Sequence, residues 1–236
     1  MNVKRKILTL LGVVAMATMV GMWPAAVSAS GGGTVAPGAC MGDGACVGNT
    51  GVIQYGACKG DTSCLQNGRL IQKKACSGDG SCFDNGSVIG KKACSGETSC
   101  VSNAGIIGFK SCGSLDDMDT LACRLNSGKI GKKSCFGQFA CDENEGVIKS
   151  RSCIGDSACG MNEGYIGNKS CRGEGACANN KGKILSNSCN GKDACAENPV
   201  GSVIKGDGGR KKHHHKHKDS WKKWWSKHHK HDKHSS

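Results

Sequence analysis

Apolar and polar positions recur along this chain with a period of 18 residues between Cys40 and Cys195. The units follow the pattern Cys-x-Gly-x-x-(Ala/Ser)-Cys-x-x-Asn-x-Gly-x-Ile, in which the second Gly is usual but not constant. The fifth unit carries an insertion and the ninth gains Pro199 and Val200. A unit of this length is too short for a helix pair, and Gly and Asn recur where a helix interior disfavours both. The pattern instead predicts stacked β-structure in which the isoleucines form one column: Ile53, Ile71, Ile89, Ile107, Ile130, Ile148, Ile166, Ile184 and Ile204.

The fold predicted from this period is all-β: a parallel β-solenoid with one 18-residue repeat per coil and about nine coils. Coils paired at about 4.8 Å would form a rod on the order of 43 Å long. Identical residues then stack, so each Asn amide can bond the Asn above and below it. The predicted Asn ladder comprises Asn49, Asn67, Asn85, Asn103, Asn126, Asn144, Asn162, Asn180 and Asn198.

Eighteen cysteines occupy two positions of the repeat. Each position holds nine cysteines, an odd number, so pairing between neighbouring coils would leave a thiol over at each position, whereas pairing within each coil uses them all. Disulfides would stabilise a coil whose core is otherwise thin. The predicted pairs are Cys40–Cys46, Cys58–Cys64, Cys76–Cys82, Cys94–Cys100, Cys112–Cys123, Cys135–Cys141, Cys153–Cys159, Cys171–Cys177 and Cys189–Cys195. Zinc or iron–sulfur ligation fits less well, because the intervals are too long and no His precedes His213.

Two resemblances accompany these motifs. The paired cysteines with a small neighbour in every coil are similar to the disulfide-stapled β-solenoids of insect antifreeze proteins. Those proteins carry a flat Thr-x-Thr face that this sequence lacks, so the resemblance implies the architecture and not ice binding. Phrases such as Asn168-Lys-Ser-Cys-x-Gly-x-x-Ala-Cys177 resemble a family of uncharacterised secreted Cys-rich repeat proteins, which implies no activity.

The chain divides into four segments. Residues 1–29 form a predicted signal peptide, in which Lys4, Arg5 and Lys6 precede an apolar run and cleavage is expected after Ala29. Residues 30–204 form the solenoid, 205–209 a linker and 210–236 a tail rich in His, Lys and Trp. An uncleaved membrane anchor is the weaker alternative, because the apolar run is short and interrupted. The predicted location is therefore secreted or at the cell surface.

Charge is concentrated outside the solenoid but patterned within it. Of the net charge of +13, the first segment carries +3 and residues 210–236 carry +8, which leaves +2 for residues 30–209. A basic column precedes the first cysteines, at Lys74, Lys92, Lys110, Lys133, Arg151 and Lys169. An acidic column follows them, at Asp43, Asp61, Asp79, Glu97, Asp156 and Glu174. We expect the two columns to pair with each other across a corner; a stripe that holds an anionic polymer is the alternative.

The longer of two interruptions in the repeat lies where ten residues separate Cys112 from Cys123 and add Asp116, Asp117 and Asp119. An insertion at this point predicts an exposed turn. Binding of Ca²⁺ or a partner through this loop is a further alternative to a neutral insertion.

The tail is predicted to be disordered or a short helix. Its candidate surface-binding residues are Trp221, Trp224, Trp225, Lys222, Lys223 and Lys227, a combination suited to an anionic membrane interface or another polyanionic surface. Its candidate metal ligands are His213, His214, His215, His217, His228, His229, His231 and His234, which could bind Zn²⁺, Cu²⁺ or Ni²⁺. No cofactor is required.

These features predict a non-enzymatic protein, because the solenoid has no His and its cysteines are expected to be paired. We expect a secreted structural or adhesive scaffold, held by its tail to an anionic membrane or to cell-wall or extracellular polymers. Metal binding through the tail is the main alternative, and membrane disruption and ice binding are weaker ones. No specific nucleic acid partner is expected, and end-to-end self-association is a further expectation.

Overall fold

The structure is a computed structural model that describes residues 31–114 and 121–206. These residues form a parallel β-solenoid in which two-residue strands pair with their equivalents one coil further on. The strands are β1 Thr34–Val35, β2 Val52–Ile53, β3 Leu70–Ile71, β4 Ile106–Ile107, β5 Lys129–Ile130, β6 Val147–Ile148, β7 Tyr165–Ile166, β8 Lys183–Ile184 and β9 Val203–Ile204. The predicted fold class is confirmed.

The strand ladder is continuous through the third repeat. There Ile89 alone pairs with both Ile71 of β3 and Ile107 of β4. A second ladder runs through the residue after each first cysteine, as in the pairing of Met41 with Lys59. Each coil, numbered from its first cysteine, is therefore fixed to its neighbours at two separate places.

Glycine at the third repeat position permits close stacking at a corner. Gly60 has a φ of +123°, and an added Cβ would lie 2.6 Å from the carbonyl carbon of Gly78 in the next coil. A side chain at this position would separate the two coils. The repeat requires glycine here for a backbone conformation and a contact that other residues disfavour.

The interior consists of stacked columns of single residue types. The isoleucines from Ile53 to Ile184 are at most 1% exposed, and the cysteines and their small neighbours pack against them. Full burial of one such side chain contributes roughly 1.5–3 kcal/mol. Because every coil repeats the same buried set, the core extends along the whole rod.

A ladder of asparagine amides runs beside the isoleucines. Asn85 Nδ2 donates to Asn67 Oδ1 at 2.8 Å and to the carbonyl of Ser87 at 2.7 Å. Asn85 Oδ1 accepts from Asn103 Nδ2 at 2.9 Å. The ladder continues from Asn49 to Asn198, as the sequence predicted. These side chains satisfy buried backbone groups at a corner that no regular strand covers.

All nine predicted disulfides form within their coils, including the longer Cys112–Cys123 link around the insertion. Their Cα–Cα distances lie between 5.5 and 5.8 Å, within the usual range for a disulfide. The described chain has no free cysteine. Each coil is therefore closed by a covalent bond that complements its small core.

The backbone N–H of the second cysteine of each coil points in opposite directions along the rod in its two halves. In the first half, Cys46 N–H donates to the carbonyl of Ser63 in the following coil at 3.0 Å. In the second half, Cys141 N–H donates to the carbonyl of Ala122 in the preceding coil at 2.8 Å. The second cysteine correspondingly has a left-handed φ of 57–63° only in coils one to four. The sequence did not predict this difference.

The change of orientation falls between coils four and five. Cys100 retains the first-half φ of 62°, whereas Ala122 already accepts its hydrogen bond from coil six. As a result, neither Cys100 N–H nor Cys123 N–H donates to another described residue. The Asn ladder crosses this junction undisturbed, because Asn126 Nδ2 bonds Asn103 Oδ1 at 2.8 Å. The interruption is thus confined to the corner that carries the insertion.

Serine occupies a different position of the repeat on each side of the same junction. In the second half it precedes the first cysteine, where Ser134 Oγ donates to the carbonyl of Lys149 at 2.9 Å and accepts Ser152 N–H at 3.2 Å. In the first half it precedes the second cysteine, and the buried Oγ atoms of Ser63 and Ser81 have no hydrogen-bond partner among the described residues. The second half therefore has a hydroxyl ladder that the first half lacks.

Candidate binding surface: the basic corner

Nine basic side chains project from one corner of the rod, just before the first cysteines of coils three to eight. We call them the basic corner: Lys73, Lys74, Lys91, Lys92, Lys110, Lys132, Lys133, Arg151 and Lys169. All nine are exposed. They come from equivalent turns in successive coils, so they form a line parallel to the rod axis.

Hydrogen bonds between coils hold the backbone of this corner in place. Lys92 N–H donates to the carbonyl of Lys73 at 3.1 Å, and Lys110 N–H repeats the contact to Lys91 at 3.1 Å. Lys91 N–H donates to Gln72 Oε1 at 3.0 Å. The main chain of the corner is therefore ordered, and the basic groups are anchored at regular intervals along it.

The side chains of the basic corner have no ion-pair partner among the described residues. The ion pairs of the described residues involve basic side chains outside this corner, as in Lys192–Glu174 at 2.7 Å and Lys181–Glu163 at 2.7 Å. Lys110 Nζ lies over the ring of the adjacent Phe109, 5.4 Å from its centroid. The charge of the corner is thus uncompensated locally.

The acidic column has a different role, and its expected pairing with the basic column is wrong for the described residues. Asp61 Oδ1 accepts the N–H of Asp43 at 2.9 Å, and Asp79 Oδ1 accepts the N–H of Asp61 at 2.9 Å. These carboxylates turn along the rod to bond backbone donors, because the inward-facing small residue and cysteine separate their corner from the basic one. Near the end of the column, Glu174 raises the pKa of the exposed Lys192 by hydrogen bonding and by its charge.

The fold does not demand basic residues at this corner. Lys74, its equivalents and Arg151 adopt left-handed φ values of 51–61°, a conformation that favours Gly or Asn. Other left-handed corner positions hold unrelated types, as Gln66, Leu125 and Glu143 show. Backbone geometry therefore explains neither the repeated charge nor its sign.

The cysteines do not offer a metal site in the described chain. The sulfur atoms of Cys100, Cys112 and Cys123 lie within 4.8 Å of one another. All three belong to disulfides, and a disulfide sulfur lacks the thiolate charge that Zn²⁺ requires. The cluster is the meeting point of two stacked disulfides.

The remaining candidate residues lie outside the described residues. These are the signal segment 1–29, the three aspartates of the insertion and the whole tail, with its Trp, Lys and His candidates. Sequence reasoning placed six of the nine basic-corner residues in a column but missed Lys73, Lys91 and Lys132. The repeated Lys-Lys dipeptide before the first cysteine was the signal that could have identified them.

The described residues contain no helix that is long and apolar enough to cross a membrane. Disulfides at this density are typical of extracellular proteins. Together, the stacked strands and one disulfide per coil define a disulfide-stapled parallel β-solenoid repeat protein.

A family described as a domain of unknown function (DUF7640) matches residues 24–135 and 114–207, and the chain belongs to that family. The two matches overlap in the fifth coil, where the peptide orientation changes. No curated protein and no solved structure gave a match.

Proposed function

We propose that this protein is a secreted, non-enzymatic scaffold held to anionic membranes or cell-wall polymers by residues 210–236. The disulfide in every coil carries this proposal, since nine such links require an oxidising compartment and stabilise an exposed rod. The predicted signal peptide supplies the export route. A rod of this kind holds its two ends apart.

The tail supplies the attachment chemistry. Trp221, Trp224 and Trp225 follow helical spacing, and Lys222 and Lys223 lie between them. Trp prefers the interface between water and lipid, and each Lys near an anionic bilayer contributes roughly 1 kcal/mol. The tail is therefore expected to bind a negatively charged surface and to release it as salt rises.

Pelleting of the full-length mature protein with vesicles tests this attachment. We expect binding to phosphatidylserine-containing vesicles, little binding to phosphatidylcholine vesicles, and loss when the three tail tryptophans are changed to Ala. Lys129→Gln with Lys183→Gln is the matched control, because both lysines are exposed on the strand face of the rod. Unchanged pelleting of the tryptophan variant would refute anchoring by the tail.

Metal binding is a second candidate, supported by the position of every His of the chain within the tail. Neutral imidazoles at this density bind Zn²⁺, Cu²⁺ and Ni²⁺, and protonation below about pH 6.5 removes the lone pairs. Zinc titration at pH 7.5 and 5.5 measures this affinity. If vesicle pelleting persists with a chelator and is lost in salt, metal plays no part in the attachment.

A further inference from the structure

The charges of the solenoid are segregated around its circumference. The segments that run from an inward isoleucine to the first cysteine of coils three to eight contain ten Lys or Arg and no Asp or Glu. Since residues 30–209 carry a net charge of only +2, the balancing carboxylates come from other positions of the sequence. The nearly neutral rod therefore presents one strongly positive edge.

The basic corner differs from the acidic column in the contacts that its charged groups make. The acidic column caps backbone N–H groups, as Asp156 does for Gln138 at 2.9 Å. The basic side chains make no ion pair among the described residues, yet they repel one another at coil spacing. Like charges aligned at a cost to the free protein indicate that the compensating charges come from a ligand.

The shape of this edge selects a linear ligand. Six coils at about 4.8 Å per coil place the charges along roughly 24 Å of a convex ridge. A planar bilayer would meet such a ridge along a single line, without apolar residues to insert. An extended polyanion lying along the rod can instead neutralise the charges in succession.

The types of side chain at the basic corner indicate the chemical class of the ligand. Eight of the nine basic-corner residues are lysines, which act as hydrated point charges without the planar fork that arginine presents to a carboxylate or a phosphate, so they attract anionic groups without selecting a geometry. Phe109 is the only aromatic residue among the turn residues of this corner, so there is no series of stacking platforms for nucleic acid bases. These features favour carboxylate or sulfate groups spaced along a polysaccharide.

We propose that the basic corner binds a linear acidic polysaccharide along the rod axis. This site is on the solenoid and is independent of the tail attachment proposed above. Successive lysines pair with successive anionic sugar units, with no covalent change to either partner. The inter-coil hydrogen bonds hold the lysine backbones at fixed spacing, which lowers the conformational cost of multivalent binding.

Lysine footprinting on the full-length mature protein tests this site residue by residue. The protein is acetylated briefly with and without polygalacturonate, heparin or neutral dextran, and the modified peptides are quantified by mass spectrometry. We expect either acidic polymer to reduce labelling of Lys74, Lys92 and Lys133 by about threefold or more at low salt. Lys129 and Lys183 are internal controls, and dextran should protect none of these residues.

A variant series gives an independent measurement. Lys74→Gln, Lys92→Gln and Lys133→Gln are combined in a full-length chain in which the tail residues Lys222, Lys223 and Lys227 are also Gln, so that tail binding is weakened. The plot of log affinity against log salt concentration has a negative slope, and each basic contact contributes about 0.7 to its magnitude for a single-stranded polyanion. Removing three contacts should therefore reduce the magnitude of the slope by about two. The matched control replaces Lys129, Lys183 and Lys205, which are exposed elsewhere.

The outcomes separate this site from the tail. Protection by heparin alone assigns sulfate, protection by polygalacturonate alone assigns carboxylate, and either result supports the proposal. Equal protection of the control lysines, or no protection of the corner, overturns it. Stronger protection by oligothymidylate than by both polysaccharides also overturns it, in favour of nucleic acid. Vesicle pelleting that is unchanged in the tail tryptophan variant, together with an intact footprint, would refute the tail proposal alone.

Discussion

The Asn ladder provides a direct test of how this rod is stabilised. Asn85 is 1% exposed and lies in the middle of the first half. Its side chain makes four hydrogen bonds, to Asn67, to Asn103, and to the N–H and carbonyl of Ser87. Asn85→Ala removes all four and leaves buried polar groups without partners.

The expected loss follows from those contacts. A typical hydrogen bond contributes about 1 kcal/mol, and an orphaned buried group costs about 1–3 kcal/mol. Asn103 Nδ2 retains a second acceptor, the carbonyl of Gly105 at 2.8 Å, so one partner is only partly orphaned. We therefore expect Asn85→Ala to lower the free energy of unfolding by about 3–5 kcal/mol. Asn85→Asp should cost more, since it buries a carboxylate against Asn67 Oδ1.

Guanidinium unfolding under non-reducing conditions measures these differences, with the midpoint and slope fitted separately. Asn168→Ala is the matched control, because Asn168 is exposed and its Oδ1 accepts only the N–H of Ser150, at 3.0 Å. The control should lose less than about 1 kcal/mol. An Asn85→Ala variant as stable as the control would refute a stabilising ladder.

Three further predictions concern other positions. Gly60→Ala should lower the unfolding midpoint strongly, because the added Cβ would lie 2.6 Å from the carbonyl carbon of Gly78. Gly86→Ala is the control and should not lower it, because an added Cβ there meets nothing closer than 3.7 Å. Equal midpoints would contradict the close stacking of coils at Gly60. Asp142→Ala should lower the free energy of unfolding by about 3–5 kcal/mol in the same assay, because it removes the buried carboxylate that pairs with Arg124. Asp142 Oδ2 lies 3.1 Å from Arg124 Nη2, and the Asp142 side chain is only 2% exposed. A loss below about 1 kcal/mol, as for a surface ion pair, would contradict this expectation. Cys40–Cys46 should be reduced before the central disulfides when reductant is limited, since Cys40 is only partly buried at one end of the rod. Alkylation followed by peptide mapping measures the order of reduction, and opening in random order would contradict the expectation.

The repeat made much of the fold predictable. Identical residues at a fixed period can all be buried only if the coils stack in register, so the Ile and Asn columns followed directly from spacing. Counting cysteines gave the pairing, because an odd number per column favours closure within a coil. The opposite peptide orientations of the two halves could not be predicted, since Cys46 and Cys141 occupy equivalent positions in nearly the same pattern.

The candidate surface was less predictable than the fold. The sequence revealed two charged columns of opposite sign, and their spacing suggested mutual pairing. The structure shows that Asp61 and its equivalents bond backbone N–H groups instead, which leaves the basic corner without compensation among the described residues. Which charged groups meet depends on the direction in which each corner points, and spacing along the chain does not contain that direction.

By itself, the sequence determined that this protein is a stack of identical covalently closed coils, because periodic burial and periodic cysteines admit few other arrangements. Only the tertiary structure decided where the polar groups of each corner find their partners. That choice depends on peptide orientation and on the neighbouring coil, both of which are long-range properties. It also separated the carboxylates that bond the backbone from the lysines that remain available to a ligand.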